Sequence, residues 1–239
     1  MIIPIAVVSL MLSSCTSAQL QQAASQLPQI LETSGLGQTQ IAAGLKEALQ
    51  QGIDKQVVNL TKTDGFYNNS LVRIGLPSEL QKVEKTLRDV GLGSLADEGI
   101  KSLNKAASNA VKEATPIFVD AITKMTISDA TNILMGNKNA ATQYLQKSTK
   151  TSLYTKFNPV IKSSFTKVGA DKVWSNIITK YNAIPTVKKI NPDLTDYVTQ
   201  QALTGVYTMI EKEEANIRTN VSARSTNVLK TVFAMQDKK

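Results

Sequence analysis

TQIAAGLKEALQQGIDKQVVNL, residues 39–60, decides what kind of fold this chain can have. Ile41, Leu45, Leu49, Ile53, Val57 and Leu60 recur every three or four residues, the spacing that gathers apolar side chains into one stripe along a helix. The composition points the same way. Ala, Leu, Lys, Gln and Thr are plentiful and aromatics make up only 5%, whereas strands draw on aromatic and β-branched residues. At 42% hydrophobic and 19% charged, the 239 residues carry enough apolar material for a globular core.

Beyond the stripe, TDGFYNNSLVRIGLP (63–77) breaks the helix at Asp64-Gly65 and is expected to run extended to Pro77. A helix then resumes over 78–90 until Gly91 and Gly93 stop it. Ser94-Leu95-Ala96-Asp97 has the spacing of a capping box, a Ser N-cap with an acid three residues on. The helix it opens carries Ile100, Leu103, Ala107, Ala110, Ala114, Ile117, Ala121 and Met125 on one face, and Pro116 should kink or split it.

MTISDATNILMGNKNAATQYL (125–145) packs aspartate, asparagine and threonine between apolar residues. Thr126 and Asp129 form a second capping-box pair, Gly136 stands where a C′ glycine would end the short helix, and Asn137 or Asn139 is placed to cap the next. A calcium loop counted from Asp129 fails, because its glycine position is Leu134 and its terminal glutamate position is Ala140. Further helices are expected near 140–155, 159–169, 171–182, 194–219 and 222–235, with Asn158-Pro159 as N-cap and first helical residue. No repeat of fixed period and no second domain boundary is visible. The expected fold is all-α, a single irregular domain of about 8–10 helices.

In the other direction, residues 16–40 read as a Gln/Ser/Ala-rich tether, broken by glycines at 35–37. Before it, MIIPIAVVSLMLSSC (1–15) is apolar, ends in small residues and is short for a bilayer span of about 20 residues. Leu12-Ser13-Ser14-Cys15 resembles the lipobox of bacterial lipoproteins, in which the cysteine is lipidated and the signal is cut just before it. The division expected is a signal peptide at 1–14, a lipidated Cys15 with its tether over 15–37, and the helical domain over 38–239. No Lys or Arg precedes the apolar run, as secretory signals carry; a start codon further upstream would supply one. Thr16, where an aspartate would signal retention, resembles an outer-membrane address. No acidic cluster follows Cys15, so the expected location is the bacterial envelope, lipid-anchored at the outer membrane and facing the periplasm.

Two absences restrict the chemistry. Without histidine there is no His-based triad, metal site or imidazole shuttle. With Cys15 as the single cysteine there is no intrachain disulfide and no Cys-rich zinc site.

Several spaced segments carry a resemblance. Gly44-Leu45-Lys46-Glu47-Ala48-Leu49, Asp64-Gly65-Phe66, Arg73-Ile74-Gly75-Leu76-Pro77, Leu103-Asn104-Lys105-Ala106-Ala107, residues 125–145, Glu213-Glu214-Ala215-Asn216-Ile217-Arg218 and Val232-Phe233 stand in the order seen in a bacterial family called "domain of unknown function 4197". The resemblance covers about residues 40–235 and implies a helical, exported protein, often a lipoprotein. It implies no activity. Where the family tends to carry a glutamate after its Asn-x-Ala-Ala segment, this chain has Ser108.

Catalytic constellations are incomplete. Ser102-Leu103-Asn104-Lys105, Ser128-Asp129-Ala130 and Lys150-Thr151-Ser152 follow the order of a penicillin-binding serine site, but the second lacks its asparagine and the third its glycine. The glycines at 35–44 and 91–99 follow no strand and punctuate loops. Glu211, Glu213 and Glu214 cluster near Arg218, with Glu214 and Arg218 four apart in the favourable acid-first order. A polar pocket formed by Asp120, Asp129, Asn132, Tyr144, Glu214 and Arg218 is the candidate for carboxylate chemistry; solvated helix faces are the plainer alternative. No metal and no cofactor is expected.

Charge is distributed unevenly. Residues 146–190 hold nine lysines, Lys147, Lys150, Lys156, Lys162, Lys167, Lys172, Lys180, Lys188 and Lys189, against the single acid Asp171. Subtracting these from 27 basic and 19 acidic residues leaves 18 of each, so the whole +8 resides there. Tyr154, Phe157, Phe165, Trp174 and Tyr181 interleave with the lysines. In a cytosolic protein this would suggest nucleic acid. At the periplasmic face the expected partners are instead anionic lipid, lipopolysaccharide or peptidoglycan, met by point charges rather than by bidentate recognition. A solubilising face over an aromatic core is the competing explanation. The functional expectation is a non-enzymatic envelope lipoprotein binding an anionic or amphiphilic component. A scaffold that binds another envelope protein through an apolar groove is the alternative, and a carboxylate-based hydrolase or metal-dependent enzyme the remote one.

Overall fold

The computed structural model of the chain describes residues 37–237 apart from 90, 92, 169, 184, 186–188 and 192. Those residues form one all-α domain, with no strand among them. Helix α1, Gln38–Thr61, buries all six residues of its apolar stripe, each 8% exposed or less. A turn of 3-10 helix at Ser78–Leu80 leads into α2, Gln81–Asp89. Then come α3 (Gly93–Val111), α4 (Ala114–Thr123), α5 (Ile127–Met135), α6 (Ala140–Val168) and α7 (Ala170–Asn182). Helix α8, Thr195–Thr219, is followed by a short 3-10 turn and by α9, Asn227–Ala234. The two long helices α6 and α8 pack on each other and on α3, while α1 lies against α4, α5, α8 and α9.

The segment between α1 and α2 is less extended than its composition suggests. It turns through Val72 and is extended only over 73–77, yet Phe66, Val72, Ile74 and Leu76 are all buried. Asp64 takes a left-handed φ of 56°, and a side chain at Gly65 would sit 2.5 Å from the Asn59 carbonyl oxygen, so the turn needs glycine there. The backbone of Ile74 runs through the interior without a strand partner. Asn104, 1% exposed on α3, supplies one instead: Ile74 N donates to its Oδ1 (2.8 Å) and its Nδ2 donates to Ile74 O (2.8 Å). One amide side chain thus satisfies both backbone groups of a buried residue.

The three helix boundaries set by proline or serine turn out differently. Pro116 does split its helix. It is the third residue of α4, where an N–H would find no partner within the helix, so proline is tolerated. Asn158-Pro159 does not open a new helix; α6 runs through both. The reason is tertiary. Ala141, Leu145, Thr149, Leu153, Phe157, Ile161 and Phe165 are buried every fourth residue along α6, and that stripe continues past the exposed Pro159 without a break. The side-chain amide of Asn158, rather than capping, reaches Thr199 Oγ1 on α8 at 3.3 Å. At Ser94 the expected cap gives way to an ion pair: α3 begins at Gly93, and Asp97 accepts from Arg88 Nη2 at 2.6 Å.

Candidate functional site

The stretch from α5 to the start of α6 is where the polar residues converge. Thr126 caps α5 as expected, its hydroxyl accepting from Asp129 N (3.0 Å) while Asp129 Oδ2 accepts from Thr126 N (2.9 Å). The Thr126 hydroxyl, 2.7 Å from Asp129 Oδ2, and then the Thr126 backbone N–H hold the Asp129 carboxyl below the usual aspartate range. Gly136 ends the helix, but not through the left-handed conformation of a C′ glycine. Its φ is −79°, and what demands glycine is space: a Cβ there would lie 2.6 Å from Asn132 O and 2.9 Å from Ala140 Cβ.

The end of α5 and the beginning of α6 leave backbone groups without partners inside their helices. Helix α8 supplies the partners. Glu214 Oε1 accepts from Ala141 N (3.0 Å), and Oε2 accepts from Thr142 N and Thr142 Oγ1 (2.8 Å each). One turn further along α8, Arg218 donates through Nη2 to Ile133 O (2.8 Å) and through Nη1 to Leu134 O (3.1 Å). The two side chains also meet each other, Arg218 Nε and Nη2 lying 3.0 and 2.8 Å from Glu214 Oε1. A carboxylate therefore sits at the positive end of α6 and a guanidinium at the negative end of α5, each where the helix dipole favours it. Both side chains are almost wholly buried, at 6% and 3% exposure.

Arg224 repeats the device at the end of α8. Its guanidinium, 2% exposed, donates to the carbonyls of Ile217 and Arg218 (3.0 Å each) and to both oxygens of Asp237, whose carboxyl it holds below the usual range. The ring of Phe233 lies near both arginines, its centroid 5.9 Å from Arg218 Cζ and 5.6 Å from Arg224 Cζ.

Of the other carboxylates near Arg218, Glu211 accepts from Asn139 Nδ2 (3.1 Å), and Glu213 accepts from Lys55 (2.6 Å) and Gln56 Nε2 (3.0 Å). Tyr144 donates to Ala121 O (3.4 Å), and burial together with the charge of Asp129 raises its hydroxyl pKa. Asp120 is exposed and pairs with Lys124, and Asn132 is exposed on α5. The structure thus joins Glu214 to Arg218, sets Tyr144 in the field of Asp129, and leaves Asp120 and Asn132 at the surface. The cavity beside the buried pair measures about 30 Å³, room for no more than a water or two. Among the described residues no group of three or more Cys, Asp or Glu side chains is arranged to hold a metal ion.

The lysine segment has the opposite character. Lys147, Lys150, Lys156, Lys162, Lys167, Lys172 and Lys189 are all exposed, and among the described residues no carboxylate lies within ion-pair distance of them. Lys188 and the side chain of Lys180 lie outside the described residues, as does Cys15. Phe157, Phe165 and Trp174 are buried, at 0%, 5% and 3% exposure, while Tyr154 is partly buried and donates to Asp196 (2.7 Å). Aromatics therefore build the core beneath the lysines rather than standing among them as stacking platforms.

A family model described as "Protein of unknown function (DUF4197)" matches residues 35–234, nearly the whole of the domain. This chain belongs to that family. No curated protein and no solved structure matched it. The buried polar residues that satisfy the backbone, Asn104 at Ile74 and Thr142, Glu214, Arg218 and Arg224 at the helix ends, all fall within the DUF4197 match. Sequence reasoning passed over three of them. Thr142 and Asn104 look like ordinary polar residues on helices. Arg224 looks like a surface arginine; its place five residues beyond the end of α8 is the signal that would have found it, since cations gather at helix C-termini.

Proposed function

We propose that this chain is a non-enzymatic lipoprotein of the bacterial envelope, anchored through Cys15, which binds an anionic or amphiphilic envelope component through the lysine-rich surface of α6 and α7. The observation that carries this reading is the unpaired state of that surface. Seven exposed lysines have no carboxylate within ion-pair distance among the described residues, although acidic and basic residues balance elsewhere in the chain. Each lysine held near an anionic surface contributes roughly 1 kcal/mol, and the contribution decays within a Debye length.

The carboxylate arrangement supports a structural rather than a chemical role for Glu214. Both of its oxygens are filled by donors from Ala141, Thr142 and Arg218, which leaves no lone pair directed at a reacting group. The outer membrane, facing the periplasm, is the proposed location. Phospholipid, lipopolysaccharide and peptidoglycan are the partners whose charge fits this surface.

The test is co-flotation of the chain in a C15S background, called the wild type in this assay, with vesicles containing a large fraction of phosphatidylglycerol at low and high salt, because an acyl anchor would hold the chain on vesicles at any salt. The wild type should float at about 50 mM salt and be released several-fold by 500 mM, as screening shortens the field. A K147E/K150E/K156E variant should float poorly at either. Equal flotation of variant and wild type, or none by the wild type at low salt, would overturn the reading.

A further inference from the structure

Near the end of α6, residues of α6, α7 and the turn into α8 line an open cleft of about 460 Å³. Its floor is apolar, made by Phe165, Trp174 and Leu194, each 5% exposed or less. Its rim carries charges of both signs, Lys162 and Lys172 against Asp171 and Asp193. The carboxylates are held by neighbouring groups: Asp171 on α7 accepts from Lys172 N (2.8 Å) and from Thr166 Oγ1 of α6 (3.2 Å), and Asp193, just before α8, accepts from Thr195 N (2.8 Å). Hydrogen bonding from Thr195 keeps the Asp193 carboxyl below the usual range, and the charge of Lys162 acts in the same direction. Neither lysine pairs with these carboxylates at ion-pair distance, so both ammonium groups remain open to a ligand.

A free anion would meet two carboxylates here, and an uncharged apolar ligand would leave the four rim charges unused. A ligand carrying an anion, a cation and an apolar body satisfies the whole lining at once. We propose that this cleft seats a phospholipid with a phosphoethanolamine headgroup, its phosphate between Lys162 and Lys172, its ammonium on Asp171 and Asp193, and its apolar part on Phe165, Trp174 and Leu194. The phosphate meets lysine point charges, while the primary ammonium has three donors to give to carboxylates that accept only. The choline headgroup lacks those donors, which makes it the discriminating control. The inference rests on the envelope reading above only in that an envelope protein meets such lipid.

Trp174 is the single tryptophan of the chain, so its fluorescence reports on this cleft alone. The full chain is titrated with dihexanoyl-phosphatidylethanolamine below its micelle-forming concentration. Parallel titrations use the phosphatidylcholine and phosphatidylglycerol analogues, O-phosphoethanolamine without acyl chains, and inorganic phosphate. A saturable change with the ethanolamine lipid is expected, with at least tenfold weaker binding of every other probe. The K162A/K172A variant, which alters only exposed side chains, should bind the ethanolamine lipid at least tenfold more weakly. Absence of a response, equal affinity for the choline or glycerol lipid, equal affinity for the headgroup alone, or an unaltered K162A/K172A titration would each overturn the assignment. Flotation on phosphatidylglycerol vesicles is scored separately. Its loss with this titration intact removes the surface reading and leaves the cleft, and the converse removes the cleft and leaves the surface.

Discussion

Glu214 and Arg218 close two helix ends with one ion pair, and this makes their contribution different from that of an ordinary buried salt bridge. Replacing a buried pair by apolar residues of similar volume is often neutral or stabilising, because the ions themselves were expensive to desolvate. Here the partners include backbone groups: the amides of Ala141 and Thr142 and the carbonyls of Ile133 and Leu134. Those groups stay buried when the side chains go, and each costs about 1–3 kcal/mol unsatisfied. The R218M variant should therefore lose on the order of 3–5 kcal/mol of stability in urea unfolding. The E214L/R218M double variant should recover little of it. A double variant as stable as the wild type would mean that the helix ends find water without the pair. Arg218 was legible as half of an i,i+4 pair, but its burial was not. A solvated pair and a buried one have the same letters at the same spacing, and only the approach of a second segment distinguishes them.

At the scale of elements, most helices were legible because each carries its own apolar period, and α1 is the clearest case. The misreadings have one cause. Local signals mark where a helix is free to begin or end, and packing decides whether it does. Pro159 lies between Phe157 and Ile161, both wholly buried, and the core they share with α8 carries α6 across the break. Ser94 has an equally good local signal, yet its partner Asp97 is drawn to Arg88. Thr126 and Asp129 are the pair that keeps its cap, with no ion pair to Asp129 among the described residues to compete for its carboxylate. That cap has a measurable pH signature. The Asp129 carboxyl is depressed in the fold, so the stability it contributes is present above the unfolded pKa of about 3.9 and is lost as pH falls through the folded value. The D129A variant should cost about 1 kcal/mol at pH 7. The difference from wild type, followed by urea midpoints, should shrink steadily below about pH 4. A penalty that does not change with pH would show that Asp129 contributes by something other than its charge.

For the whole molecule, the proposal couples an anchor to a charged face. If Cys15 carries the lipid, the C15S variant should move from the membrane fraction to the soluble fraction, with helical content by circular dichroism unchanged. Retention in the membrane fraction after a high-salt wash would point away from a lipid anchor at that residue. Sequence by itself determined the fold class, the family, the charge asymmetry and the exclusion of histidine chemistry, because these follow from composition and from periods of a few residues. The tertiary structure alone decided which polar residues are buried and what they satisfy. Glu214 meets Thr142 across 72 positions and Arg218 meets Leu134 across 84. Asn104 likewise reaches Ile74 across 30. No local pattern encodes contacts at such separations. They exist because helix ends and an extended segment, once buried, must find hydrogen-bond partners from whichever helix packs beside them.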